Sequence, residues 1–423
     1  MSEQWFQDYV LLQFRIDKAI RKFTEYRFVD YYYGPPEWKV QVEVEEETPA
    51  TELVYAALAL AEALSAQGFE AHRVTYLEKQ VLALETVCRK LNGEKFTLEE
   101  EVQRCFDIRP TRIPEAQFEQ AHAWLDEILP GEGSLYERRQ RLRNRYELAR
   151  EKSGRLISFM QQAMAEARRR TLEFVSLPQG EEVELQTVSN QTFGGENWYL
   201  GNYRSRVELN TDLPTHMGWL LDLVCHEGYP GHHTEFVLKE QHLYREHGYM
   251  EQSIAPIISP QSVISEGIAT SAFEMVFTPD EAERWAAEYI YPEAEIEPVS
   301  VDMGKLSKAR ELLEAIDGNA AFMLNEGRSD EEVKQYIMRY KMLPDEHAQK
   351  ALEFLKSPFR EAYVFTYYYG KQLMRPWLQG PDRHNAFRHF LTEQICPSDL
   401  QDGWFAYKAV ESGYQNANRL LAE

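Results

Sequence analysis

The run His226-Glu227-Gly228-Tyr229-Pro230-Gly231-His232-His233 constrains the fold more tightly than any other segment, because it sets three imidazoles and a carboxylate around two residues that a helix tolerates badly. Pro230 has no N–H to bond the carbonyl of His226 and its ring crowds that carbonyl, while Gly231 permits dihedrals that other residues avoid. A helix that enters at His226 must therefore bulge or break between Gly228 and Gly231. On a straight helix, positions six apart are separated by ~9 Å along the axis and point ~120° apart, and positions seven apart share a face at ~10.5 Å. Neither His232 nor His233 could meet His226 at one point on such a helix. A break that winds Gly228 to Gly231 into the space two residues normally occupy brings His232 back beside His226, with Glu227 next to both.

That grouping has a chemical use. Zinc hydrolases hold the metal with three side chains and keep a fourth position for water, whose pKa falls to about 7, while a nearby carboxylate takes its proton. The usual pattern is H-E-x-x-H, two histidines one turn apart with the glutamate beside them. Here Pro230 stands four residues after His226, and the bulge makes up the difference. His226 and His232 are then the candidate imidazole ligands of zinc (Zn2+), with His233 as the alternative to His232, and Glu227 is the candidate general base. The third ligand is expected on a following helix. Glu266, in Ile264-Ser265-Glu266-Gly267-Ile268-Ala269-Thr270, begins an otherwise apolar and small-residue helix, Ser262 to Phe277, where a bare carboxylate is costly unless a cation neutralises it. Glu274, two turns further, is expected to accept a hydrogen bond from a ligand histidine.

Composition narrows the function classes. The chain has 423 residues, 43% of them hydrophobic, enough for a large core. Its 46 basic and 69 acidic residues give a formal charge of −23 without any long Lys/Arg run, so a phosphate backbone or an anionic membrane is repelled and neither is expected as a partner. Cys88, Cys105, Cys225 and Cys396 show no C-x-x-C spacing and are expected to be buried thiols of a reducing compartment. Met1-Ser2-Glu3-Gln4-Trp5-Phe6 is not the start of a secretion signal, and no apolar stretch reaches the ~18 residues of a membrane span, so the expected location is the cytoplasm.

Apolar residues at spacings of three and four predict helices over Thr51 to Gln67, Ala71 to Leu91, Pro114 to Leu129 and Ser134 to Glu173. Between Gly180 and Asn210 the texture changes: Val183 to Thr187, Trp198 to Leu200 and Arg206 to Leu209 read as extended, predicting a small antiparallel sheet. Helices return from Pro214, and Ser329-Asp330-Glu331-Glu332 is a capping box opening one of them. The expected class is mainly α, one compact body with an N-terminal helical lobe over residues 1–178 and a lobe over 179–423 that carries the sheet and the metal site.

The His226 to His233 run followed by Glu266-Gly267-x-Ala269 resembles the bacterial family called domain of unknown function 885, which is related to zinc peptidases of the gluzincin type. Similarity continues at Val207-Glu208-Leu209-Asn210-Thr211-Asp212, at Tyr367-Tyr368-Tyr369-Gly370 and from Phe390-Leu391 to Pro397, spanning roughly residues 195 to 400. The resemblance implies a zincin-like metallopeptidase fold, His226, His232 and Glu266 as zinc ligands, and Glu227 as general base. The cluster Tyr367, Tyr368 and Tyr369 before Gly370 offers a donor to the oxyanion, and Tyr367, by its place in the Tyr-x-x-Gly motif, is the favoured one of the three. The chain departs from the family at Asp317 to Asn325, which lacks the expected histidine.

In zinc peptidases an edge strand ahead of the metal helix pairs with the substrate backbone, and Arg204 to Asn210 stands in that place, so a peptide partner adding as a strand is expected. Two other classes compete. A noncatalytic metal- or peptide-binding protein on the same scaffold has no need of Glu227, and its structural metal would be closed by a fourth ligand. A helical diiron protein needs two Glu-x-x-His pairs, and only Glu119-Gln120-Ala121-His122 has that form. The reading carried forward is a zinc-dependent hydrolase of peptide bonds.

Overall fold

The computed structural model describes residues 2–24, 26–191, 194–212 and 215–401. It is mainly helical, with two small sheets. No helix among the described residues is long and apolar enough to cross a membrane. Pro214, where the helical pattern resumes in the sequence, and the last residues of the chain, from 402, lie outside the described residues.

Local rules place most helices. Ala71–Leu91 forms over its expected range, and the segment predicted from Thr51 runs as Ala50–Leu64 with a tighter turn through Gln67, ended by Gly68 at φ 77°. Ser329 and Glu332 close a reciprocal capping box, as do Thr97 with Glu100, Ser134 with Glu137 and Thr278 with Glu281. The long helix expected over Ser134 to Glu173 is instead two, Leu135–Arg145 and Leu156–Thr171, joined by a 3-10 segment. The interruption has a tertiary cause. Tyr146 and Leu148 leave the helix to pair their backbone with Met217 and Thr215, Leu148 N–H donating to Thr215 O at 2.8 Å and Met217 N–H to Tyr146 O at 2.8 Å.

The sheets correct the expected antiparallel arrangement. Strands β1 (Val29–Tyr32), β2 (Glu182–Val188), β3 (Gly195–Gly201), β4 (Arg204–Asn210) and β5 (Ile254–Pro256) form a β1-β5 antiparallel pair and a three-stranded sheet in the order β2-β4-β3. β4 is antiparallel to β3 but parallel to β2, so this sheet is mixed. The order matches burial: β4 hides Ser205, Val207, Glu208 and Leu209, whereas no residue of β2 is fully buried, so the most buried strand takes the centre. Arg204 to Asn210 is therefore not an edge strand. The edge that faces the cleft described below is β3.

Three apolar clusters fill the interior, and each draws on residues from both sides of residue 178. The helix Pro260–Val276 runs through the largest two and crosses Phe365–Met374 at backbone contact, where Gly267 meets Gly370. A Cβ on Gly370 would stand 2.4 Å from Val263 O and 2.7 Å from Gly267 N, and one on Gly267 would stand 2.7 Å from Gly370 O. Backbone cannot yield as a side chain can. Gly370→Ala is expected to destabilise the fold by ~3 kcal/mol, the upper end of ordinary overpacking, whereas Gly154→Ala, whose Cβ meets nothing within 4 Å, is expected to be near neutral in the same denaturant titration.

Candidate metal centre

The helix Leu220–Glu227 buries Leu220, Leu221, Val224 and Cys225 and ends at Gly228; a second helix, His232–Lys239, starts four residues later. Between them the chain bulges. Gly231 N–H donates to Cys225 O at 2.9 Å and Thr234 N–H to Gly228 O at 3.3 Å, bonds that span six residues where an α-helix spans four. Two residues have been wound in, which is the amount by which the His226 to His232 spacing exceeds one helical turn. The Tyr229–Pro230 peptide is cis. Gly231 is required by packing, since its φ of −77° is ordinary but a Cβ would fall 2.0 Å from His226 O and 2.4 Å from Cys225 O.

The bulge puts the rings of His226 and His232 at right angles with centroids 4.8 Å apart. Glu266, in the second turn of Pro260–Val276, completes the group: its Oε2 lies 3.6 Å from His226 Nε2 and 3.9 Å from His232 Nε2. All three sequence-predicted ligands thus offer atoms within 4.8 Å of one another. Glu266 Oε1 accepts a hydrogen bond from Tyr363 Oη at 2.6 Å, whereas Oε2 is buried and has no hydrogen-bond partner. A buried carboxylate oxygen facing two imidazole nitrogens is the donor set of a divalent cation, and such an oxygen is expensive to leave bare.

The electrostatics agree with that fit. Burial, then the neighbouring His232, pulls His226 down to about 3, which keeps its imidazole neutral and its lone pair free. Burial opposes charge on His232 too, but the Glu235 carboxylate, 3.9 Å from Nδ1, and the charges of Glu266 and Glu227 outweigh it and raise this group to about 9. The carboxylates therefore create a field that favours positive charge at His232. Glu227 is 6% exposed, and burial raises it to about 7 against the opposing charge of His232.

Partners around the cluster orient it. His232 Nδ1 lies 3.2 Å from Ser265 Oγ, Ser265 Oγ donates to Glu235 Oε2 at 2.6 Å, and Lys239 Nζ donates to Glu235 Oε1 at 2.6 Å. This chain leaves His232 Nε2 facing Glu266. Glu274 does not take part, correcting the expectation: it is half exposed and pairs with Lys371 Nζ at 2.9 Å. His233 is neither ligand nor solvent-facing, because its Nδ1 is 2.8 Å from Ser205 Oγ and its Nε2 is 2.9 Å from Glu181 Oε2. Glu181 also accepts from Tyr229 Oη and from Arg168 Nε. Although burial works against it, these hydrogen bonds lower Glu181 to about 2.

Tyr367 lines the cleft beside the cluster, with its ring edge-on to Tyr363 at 5.6 Å. Burial first, then Glu266, pushes both phenols well above their ordinary range, so both stay protonated donors. Tyr368 packs in the third apolar cluster and Tyr369 Oη accepts from Thr111 N–H at 2.7 Å, so of the three consecutive tyrosines Tyr367 alone reaches the cluster. Tyr363, Ser265, Glu235 and Glu181 went unread in the sequence. Only the four-residue interval between Tyr363 and Tyr367 was available as a signal.

Two cavities meet at the cluster, one of about 820 Å³ and one of about 490 Å³, and His226 and Tyr367 line both. The larger is bounded by β3 through Gly195, Glu196 and Asn197, and Asn197 Nδ2 donates to Glu227 O at 2.6 Å.

No family model and no curated protein matches the chain. Among solved structures it is similar to a candidate lipoprotein from Colwellia psychrerythraea, at TM-score 0.53 and 15% identity over 87% of this chain and 69% of that one. A candidate lipoprotein of unknown function from Shewanella oneidensis is also similar, at TM-score 0.48 and 12% identity over 83% of this chain and 71% of that one. The first likeness shows a shared fold.

Two measurements follow from the geometry. In competition with a chromophoric chelator, the chain is expected to bind one zinc; His226→Ala and Glu266→Gln are expected to abolish binding, and Ser265→Ala to weaken it by ~10–100-fold. Unchanged zinc content in His226→Ala would sink the assignment. Because its folded pKa is depressed, Glu181 contributes stability that is full above pH 4.5 and is lost as pH falls toward about 2. The gap in unfolding free energy between wild type and Glu181→Gln is therefore expected to shrink from pH 7 to pH 3.

Proposed function

We propose that the protein is a zinc-dependent hydrolase of peptide bonds, with a zincin-like arrangement on a mainly helical scaffold. One observation carries the reading: the buried, unpartnered Glu266 Oε2 faces the Nε2 atoms of His226 and His232 in a cleft that Glu227 also lines. The resemblance of the His226 to His233 run and of Glu266-Gly267 to family 885 supports it.

His226, His232 and Glu266 would hold the metal, and zinc bound there supplies a Lewis acid that acidifies water and polarises a carbonyl. Glu227 follows His226 directly in the chain, and its carboxylate borders the larger cavity, where it accepts a proton from the attacking water and returns it to the leaving amine. Tyr367 Oη, kept protonated, donates to the oxyanion that forms when the carbonyl carbon becomes tetrahedral. β3 replaces β4 as the strand along which a peptide backbone lies, since it is the sheet edge on the cleft. Gly195 serves this placement: a Cβ there would fall 2.8 Å from Leu223 Cδ1 and 3.7 Å from Glu227 Oε1.

The test is hydrolysis of a mixed peptide pool by the zinc-loaded chain, read by mass spectrometry. Glu227→Gln is expected to retain zinc and lose at least ~100-fold in rate, the lower end of a general base's contribution, and Tyr367→Phe to lose ~100-fold or more with zinc retained. Stoichiometric zinc without cleavage of any peptide by wild type would instead favour a noncatalytic metal-binding protein.

A further inference from the structure

The larger cavity contains a cation that the chemistry above does not use. Arg360 lines it from the turn before the Tyr367 helix, and Tyr363 N–H donates to Arg360 O at 3.0 Å, which ties the arginine to the tyrosine that holds Glu266. Its guanidinium carbon lies 4.1 Å from the ring centre of Tyr26, 5.6 Å from that of Tyr363 and 5.8 Å from that of Phe354. Among the described residues it has no carboxylate partner.

The other basic groups of this cavity are committed. Arg21 pairs with Asp17 at 2.7 Å, and Arg27 pairs with both acidic residues of the wall outside the metal cluster, Asp30 at 2.7 Å and Glu196 at 2.9 Å. In a chain whose acidic residues outnumber its basic ones by 69 to 46, this cleft arginine is left without an ion-pair partner among the described residues. Aromatic rings satisfy the faces of a guanidinium and leave its in-plane N–H fork free, which is the geometry that takes a carboxylate through two parallel hydrogen bonds. In the smaller cavity Arg139 also lacks a carboxylate partner among the described residues, but it donates to Lys341 O, and acidic side chains outnumber Arg and Lys there six to four.

We propose that Arg360 binds the C-terminal carboxylate of a peptide, so that this cleft takes its substrates by their free C-terminal end. The inference rests on the peptidase reading and names its substrate class. Arg360 stands one tyrosine ring away from Glu266, a span that one or two extended residues at ~3.5 Å each can bridge, which places the scissile bond near the C-terminus. β3 then guides the part of the peptide on the N-terminal side of that bond.

The test uses the full-length, zinc-loaded Glu227→Gln chain in equilibrium dialysis against N-acetylated tetrapeptides randomised at the last two positions. The pool is supplied once with free C-terminal carboxylates and once as C-terminal amides, and retention is read by mass spectrometry. The free acids are expected to be retained at least ~10-fold more tightly, as a charge-assisted hydrogen bond supplies. Adding Arg360→Ala should erase the preference and Arg360→Lys should keep part of it, with unchanged circular dichroism in both. Equal retention of acids and amides, failure to retain either, or a preference that survives Arg360→Ala overturns the proposal. Wild type assayed in parallel separates the two readings. Cleavage of amidated and free peptides alike keeps the peptidase and discards the anchor, whereas an Arg360-dependent preference without any cleavage keeps the anchor and discards the peptidase.

Discussion

The hydrogen bond from Gly231 N–H to Cys225 O is the constraint on which the candidate site depends. By closing a loop of six residues where a helix closes four, it brings His232 back beside His226. An unsupported bulge would relax, and four neighbours prevent this one from doing so. Glu181 accepts from Tyr229 inside the bulge and from His233 just after it; Asn197 on β3 holds the carbonyl of Glu227; Met164 fills the space beside Gly228, where a Cβ would lie 2.3 Å from its sulfur. Ser205 takes the remaining nitrogen of His233. The sheet is thus a fixture for the break in the helix, with Ser205 on its central strand, Asn197 on β3 and Glu181 just before β2 each holding one point of it.

The second constraint is charge. Glu227, Glu235 and Glu266 are all buried within one cluster, where Coulomb energies at an effective dielectric of 20 are ~4 kcal/mol for unit charges ~4 Å apart. Lys239 neutralises Glu235, and Tyr363 satisfies one oxygen of Glu266. What is left is a carboxylate oxygen and a field that raises His232 to about 9, both of which a divalent cation answers at once. Binding there would add to folding stability in proportion to the logarithm of cation concentration over its dissociation constant, because the unfolded chain has no such site. A divalent cation at this position would complete the neutralisation of the buried carboxylates.

The chemistry of the break was legible in the sequence because it is local. Pro230 and Gly231 act on the carbonyls of the preceding turn, and a glutamate in an otherwise apolar helix announces a partner wherever that helix packs. What depends on distant packing could not be read in this way. Eight residues on a helix advance ~12 Å and turn ~80° beyond two full rotations, so Glu274 faces the other cavity and pairs with Lys371, while Ser265, immediately before Glu266, is the residue that reaches His232. Strand order was likewise hidden, since alternation identifies strands but not which one the core claims. The long helix predicted from Ser134 failed for the same reason: the backbone of Tyr146 and Leu148 found partners at Met217 and Thr215, two residues of a segment leading into the metal helix.

The crossing of Gly267 with Gly370 connects folding to function more directly than any side-chain contact. Where two helices touch through backbone, their separation is set by van der Waals radii of main-chain atoms and cannot drift as side chains repack. Glu266 precedes one glycine, and Tyr367 lies three residues before the other, with Tyr363 one turn earlier still. A candidate ligand, the tyrosine that holds its outer oxygen and the tyrosine that faces the cleft are therefore referred to one point. Arg360 lies on the turn that leads into the second of these helices, its backbone tied to Tyr363, so a metal held by Glu266 and an anion held by Arg360 would be measured from the same crossing. A ruler of that kind selects by distance from a chain end, which neither an open groove nor a pocket shaped for one side chain can do.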